Sequence, residues 1–105
     1  MYLHSAVPQE TPWGLAAPSE VETIEEDGVY FVSTASHGGY YVTPDAIDAI
    51  PGDWREATFN RQGCNGWFEE DCDWAIVALT FPRLFGPQAL DSARDIFERW
   101  IAPKL

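Results

Sequence analysis

Residues 21–33 read Val-Glu-Thr-Ile-Glu-Glu-Asp-Gly-Val-Tyr-Phe-Val-Ser, and the fold follows from this stretch. Val21, Thr23 and the run 29–32 are β-branched or aromatic, and Asp27-Gly28 between them is a hairpin signal. The run 29–32 is apolar enough to be a central strand. Ser36-His37-Gly38-Gly39 breaks the pattern, and residues 40–43 resume it. Three short antiparallel strands are the simplest reading.

On the C-terminal side the grammar changes at Thr43-Pro44-Asp45. Threonine suits a helix N-cap, proline the first helical position, and aspartate the positive helix end. Pro51-Gly52 keeps this helix brief. Residues 53–66 carry a weak signal, and Gln62-Gly63-Cys64-Asn65-Gly66 reads as an exposed turn. Over residues 68–79, Phe68, Cys72, Ala75, Ile76 and Leu79 form one helical stripe. Trp74, Val77 and Ala78 make the remaining faces apolar, which predicts a central, buried helix. A strand over residues 75–81 is the competing reading, and Pro82 ends either one. After Gly86-Pro87, Leu90, Ala93, Phe97, Trp100 and Ile101 define a last amphipathic helix, with Asp95 and Arg99 in the favourable i,i+4 order.

The expected fold class is therefore α+β, a small antiparallel sheet of about three strands packed by two to three helices. Residues 20–105 make this single domain. Residues 1–19, with Pro8, Pro12, Pro18 and Gly14, read as an irregular Pro-rich N-terminal arm packed on it through Trp13. Of the other tryptophans, Trp74 and Trp100 are expected in the core and Trp54 and Trp67 at the surface.

One hundred and five residues, 46% hydrophobic and 14% aromatic, suit one folded domain and not a disordered acidic chain. The formal charge of −11 argues against direct binding to nucleic acid or to an anionic membrane, both of which need a basic face. No stretch approaches the roughly 20 apolar residues of a membrane span. Residues 1–10 lack the basic and apolar regions of a signal peptide, so the cytoplasm is the expected compartment. Cys64 and Cys72 are the whole thiol inventory, and with only His4 and His37 besides they match no zinc framework. Buried thiols are expected rather than a disulfide, and neither metal nor cofactor is expected.

The acids fall into two groups. Glu20, Glu22, Glu25, Glu26 and Asp27 surround the first hairpin, and Glu69, Glu70, Asp71 and Asp73 open the central helix. No Lys or Arg lies between residues 1 and 50; all six follow from Arg55 onward. Helix-dipole chemistry accounts for two or three carboxylates of the second group, and solvation of an edge strand accounts for the first. The sharper reading is an acidic recognition surface that a Lys- and Arg-lined groove attracts at long range, with carboxylates standing in for phosphates. For catalysis the candidate is His37 beside Gly38-Gly39, with Ser36 or Cys72 as an imaginable nucleophile. No nucleophile-elbow, phosphate-loop or His-Glu-x-x-His signature accompanies them. The acids around Cys72 raise a thiol pKa and work against a thiolate.

Two blocks stand out together, Val32-Ser33-Thr34-Ala35-Ser36-His37-Gly38-Gly39 and Gly66-Trp67-Phe68-Glu69-Glu70-Asp71-Cys72-Asp73-Trp74-Ala75 followed by Pro82. With Thr11-Pro12-Trp13-Gly14 they resemble a small domain of unknown function that occurs in proteobacteria, their plasmids and their phages. The resemblance implies a bacterial cytoplasmic setting and a mobile-element protein, and it carries over no catalytic residue. Small acidic proteins of that kind include anti-CRISPR inhibitors and antirestriction DNA mimics. By that analogy the expected function is inhibition of a bacterial defence system through an acidic, DNA-mimicking surface. The expected partner is the basic DNA-binding surface of a CRISPR effector, reached through Glu69, Glu70, Asp71 and Asp73, then Glu22, Glu25, Glu26 and Asp27. Two other readings stay open: a small His37-centred enzyme, with a divalent metal held by nearby carboxylates, and an acidic structural or assembly protein.

Overall fold

The computed structural model describes residues 7, 10–15, 21–25, 28–34 and 37–105, with residues 15 and 21–25 described as backbone only. Three strands follow the predicted hairpin grammar: β3 (Val21–Glu25), β4 (Val29–Ser33) and β5 (Gly38–Val42). Before them, β1 (Glu10–Thr11) and β2 (Gly14–Leu15) pair as a two-residue ribbon inside the N-terminal arm. A fourth strand, β6 (Trp67–Glu69), joins β5 on its free edge. The sheet order is β3-β4-β5-β6, and every pairing is antiparallel. The apolar run 29–32 thus lies in a strand with neighbours on both sides, as its composition predicts.

Register sorts the side chains onto two faces, because neighbours across an antiparallel ladder point the same way. Phe31, Tyr40 and Phe68 share one row; Tyr30, Tyr41 and Trp67 share the next. Val29, Val42 and Phe68 face the helices and pack with Ile50, Ile76, Val77 and Ile101 in the main core. Val32, Tyr41 and Trp67 face the other way and are covered by Val7 and Trp13. The Trp13 ring meets Trp67 edge-on at 5.4 Å.

The helices are α1 (Pro44–Ile47), α2 (Gly52–Glu56), α3 (Trp74–Thr80) and α4 (Pro87–Ile96). Thr43 caps α1 by its backbone conformation, without a side-chain hydrogen bond. Pro51-Gly52 stops α1 as expected, yet the same pair starts α2. Ala75, Ile76, Val77 and Ala78 are all fully buried, which is the all-round apolar helix the pattern predicts. Ala75 and Ala78 meet Ala93 of α4, small residues that let the two helices approach closely.

Three expectations change. The predicted helix over residues 68–79 begins only at Trp74, because Trp67 and Phe68 bury on opposite faces of the sheet. Pairing with Gly39, Tyr40 and Tyr41 overrides the helical stripe. Trp67, expected at the surface, is accordingly buried, and Trp54 is half-buried with its ring 4.7 Å from Phe97. Trp100, expected in the core, is 57% exposed. Residues Phe97–Ile101 form a π-helical turn, whose wider winding carries Trp100 off the stripe while Ile101 stays fully buried. Trp74 is half-buried, 6.1 Å from Phe85.

The turn over residues 59–65 is a short 3-10 segment interrupted by Asn60 and Arg61, with φ of 54° and 58°. Left-handed backbone at a non-glycine residue costs roughly 1–2 kcal/mol. It is held by the Gly63 N–H donating to Thr58 Oγ1 at 2.7 Å and by the Thr58 hydroxyl donating to the Arg55 carbonyl at 2.9 Å.

Candidate interaction surface

The sequence places its acids unevenly, and the fold turns that into a spatial asymmetry. Residues 1–51 hold eight of the seventeen acids and none of the six cations; residues 52–105 hold nine acids and all six cations. The first stretch supplies β3, β4, β5 and α1, so these elements contribute no cation of their own. On the helical side, Arg61 pairs with Glu56 at 3.0 Å, Arg94 with Asp91 at 2.9 Å and Arg99 with Asp95 at 3.1 Å. These exposed pairs add little stability, but they spend three cations locally. Lys104 is spent too, donating to the Ala57 carbonyl at 3.1 Å.

The two acidic groups occupy opposite edges of the sheet. Glu22 and Glu25 lie on β3, and Glu69 ends β6, three strand spacings or roughly 14 Å away. Glu25 pairs with Val29 at the α1 end of the sheet, whereas Glu69 pairs with Gly39 at the other end. Glu20, Glu26 and Asp27 lie outside the described residues.

At the β6 corner the four carboxylates have different duties. Glu70 and Asp71 are exposed. Glu70 donates its N–H to the Gly38 carbonyl at 3.1 Å, and its carboxylate lies where a side chain on Gly38 would stand. Glu69 is half-buried and accepts the N–H groups of Asp71 and Cys72 at 3.2 and 3.1 Å, which closes the turn before α3. Asp73, expected beside them at the surface, is only 2% exposed. It accepts the Phe59 N–H through both oxygens, at 3.3 and 3.1 Å. Burial pushes its carboxyl up from 3.8 to about 6, with the Glu69 charge adding to the rise. Bonds from the Phe59 and Glu69 backbone and the Lys104 charge oppose it. Asp73 is a joint between α3 and the 59–65 turn, not a surface charge.

Two acids that the sequence reading passed over belong to the other end. Thr43 donates its N–H to the Gly28 carbonyl at 2.9 Å, which docks α1 against the hairpin turn. Asp45, in the first turn of α1, and Asp48, at its C-cap, are both exposed. Asp45 has a sufficient local explanation at a helix start, so only the missing cations upstream could have drawn attention to it.

His37 sits exposed at the β4–β5 turn, where its carbonyl accepts the Thr34 N–H at 2.7 Å. Ser36 lies outside the described residues. The glycines after His37 have packing roles: Gly38 faces Glu70 and Phe31, and Gly39 lies under Trp13 and against the Phe68 carbonyl. Cys64 is exposed and Cys72 half-buried, so the expectation of two buried thiols holds for neither completely. Burial first, then Glu69, Asp73 and Asp71, push the Cys72 thiol up. Among the described residues no group of three or more His, Cys, Asp or Glu is placed to hold a metal ion. No helix among them is long and apolar enough to cross a membrane.

Compared with known proteins, residues 6–104 match the family Domain of unknown function (DUF7007), consistent with the expected domain of unknown function. No curated protein and no solved structure matches the chain.

Proposed function

We propose that this chain, which belongs to the DUF7007 family, works by binding and not by catalysis, as an inhibitor of a bacterial defence system. Its acidic side occupies the basic DNA-recognition groove of a CRISPR effector complex in the cytoplasm of the host and keeps target DNA out. The observation behind this reading is that residues 1–51, which supply β3, β4, β5 and α1, hold eight acids and no Lys or Arg. Uncompensated charge of one sign on one side steers association with a basic groove and discriminates against acidic partners. In this reading the contact acids are Glu22, Glu25, Glu26 and Asp27 together with the exposed Asp45 and Asp48, and separately the exposed Glu70 and Asp71; the buried Asp73 is not among them. The mobile-element origin rests on the resemblance to phage and plasmid proteins.

The test is a titration of the purified protein against CRISPR effector complexes at 50 and 200 mM salt, with target DNA as competitor. Binding should weaken by at least about tenfold at the higher salt and exclude DNA. Reversing Asp45 and Asp48 to lysine should weaken it further, and reversing Glu70 and Asp71 should do so independently. Affinity unchanged by both reversals and by salt would sink the acidic-surface reading.

A further inference from the structure

The α1 end of the sheet also holds a largely apolar cleft of about 240 Å³, lined by Tyr41, Val42, Pro44 and Ile47 and by Cys64, Asn65 and Gly66. Its walls are tied together, since Val42 donates its N–H to the Gly66 carbonyl at 2.8 Å. Gly66 has φ of 88°, and a Cβ there would come within 2.6 Å of the Val42 carbonyl, so no side chain of its own can fill the space. The cleft is small for a drug-sized ligand, whose pockets start at about 300 Å³. It suits a single large side chain. Pro44 and Ile47 lie on the same helical turn as the exposed Asp45 and Asp48, and no Lys or Arg lines the cleft.

A largely apolar cleft with two exposed carboxylates, Asp45 and Asp48, next in the chain to its lining residues is complementary to one apolar side chain carried between cations. Interfaces concentrate their binding energy in such desolvated anchors, while the surrounding charges set approach and register. We propose that the cleft is an anchor pocket that takes one aromatic or aliphatic side chain from a lysine- and arginine-rich segment of the partner protein. This rests on the binding reading above and adds what charge alone lacks, a site that distinguishes one basic surface from another.

Cys64 lines the cleft and is exposed, so it can report occupancy. The probes are two amidated peptides of equal charge, KRFRK and KRARK. At about four times its Kd, the Phe peptide should slow alkylation of Cys64 by iodoacetamide about fivefold. The Ala peptide at the same concentration should leave the rate within about twofold, because it lacks the anchor. Ile47→Ala, with its fold checked by near-UV circular dichroism, should lose most of the protection without any change of charge. Should that variant lose its fold, shifts of the Ile47 methyl signals with each peptide make the same comparison on the unaltered chain. Equal protection by both peptides, or by neither, overturns the pocket. Either result leaves the effector titration standing, since that experiment tests the acidic surface alone.

Discussion

The buried carboxylate of Asp73 holds the backbone N–H of Phe59 with both of its oxygens, fourteen residues away in the chain. Phe59 itself projects outward, 62% exposed, and the next two residues are left-handed. One side chain from the acidic block thus fixes the start of a strained turn. Its charge is a cost borne inside the fold.

That cost is readable as a pH dependence. The Asp73 carboxyl is pushed from 3.8 up to about 6, so between those values the native state keeps a proton that the unfolded chain has lost. Its contribution to stability is therefore complete below about pH 4, declines as pH rises, and is gone above about pH 6. The effect is on the order of 3 kcal/mol. Asp73→Asn keeps an acceptor for the Phe59 N–H and removes the charge. Urea unfolding at pH 4, 5, 6 and 7 should show the variant gaining on the parent protein across this window. Parallel curves would mean that Asp73 does not titrate there.

Gly39 should tolerate no side chain. A Cβ would run into the Trp13 indole and stand 2.5 Å from the Phe68 carbonyl. Gly39→Ala should cost about 2–4 kcal/mol in urea unfolding. Adding Trp13→Ala should rescue only part of it, since the Phe68 backbone cannot step aside. Full tolerance of Gly39→Ala would show that the ribbon does not lie on the sheet as described.

The π-helical turn makes a sharp contrast between neighbours. Trp100→Ala should change stability by less than about 0.5 kcal/mol because the ring is largely in solvent. Ile101→Ala, one residue on and fully buried, should cost about 2–5 kcal/mol. An uninterrupted α-helix would bury both residues on one stripe and make both variants costly, and thermal unfolding of the two decides it.

The two thiols should differ in reactivity. Cys64 is exposed, while Cys72 is half-buried and its pKa is raised by burial and by Glu69, Asp73 and Asp71. At pH 8 a disulfide reagent should modify Cys64 at least about tenfold faster, because the thiolate is the reactive form. Two equal phases would contradict the placement of Cys72. A Cys64→Ser variant assigns the phases.

Neighbouring residues alone determined a large part of this protein. Asp27-Gly28 between β-branched runs gave the first hairpin, Ala75 to Ala78 announced a helix buried all round, and Asp95 with Arg99 marked the last helix. The cation-free first half was likewise visible as a count. These features depend on dihedral preference and on periodicity over a few residues, which a linear chain displays. The tertiary structure alone decided the rest. Strand β6 exists because Glu69 pairs with Gly39 and Trp67 with Tyr41, across more than twenty-five residues, against a helical stripe that pointed the other way. The same long-range pairing brings the chain back so that Asp73 meets Phe59 and is buried. The Thr43–Gly28 bond docks α1, which carries Asp45, against the first hairpin. Burial and charge environment are set by what arrives from elsewhere in the chain, and no local pattern encodes an arrival.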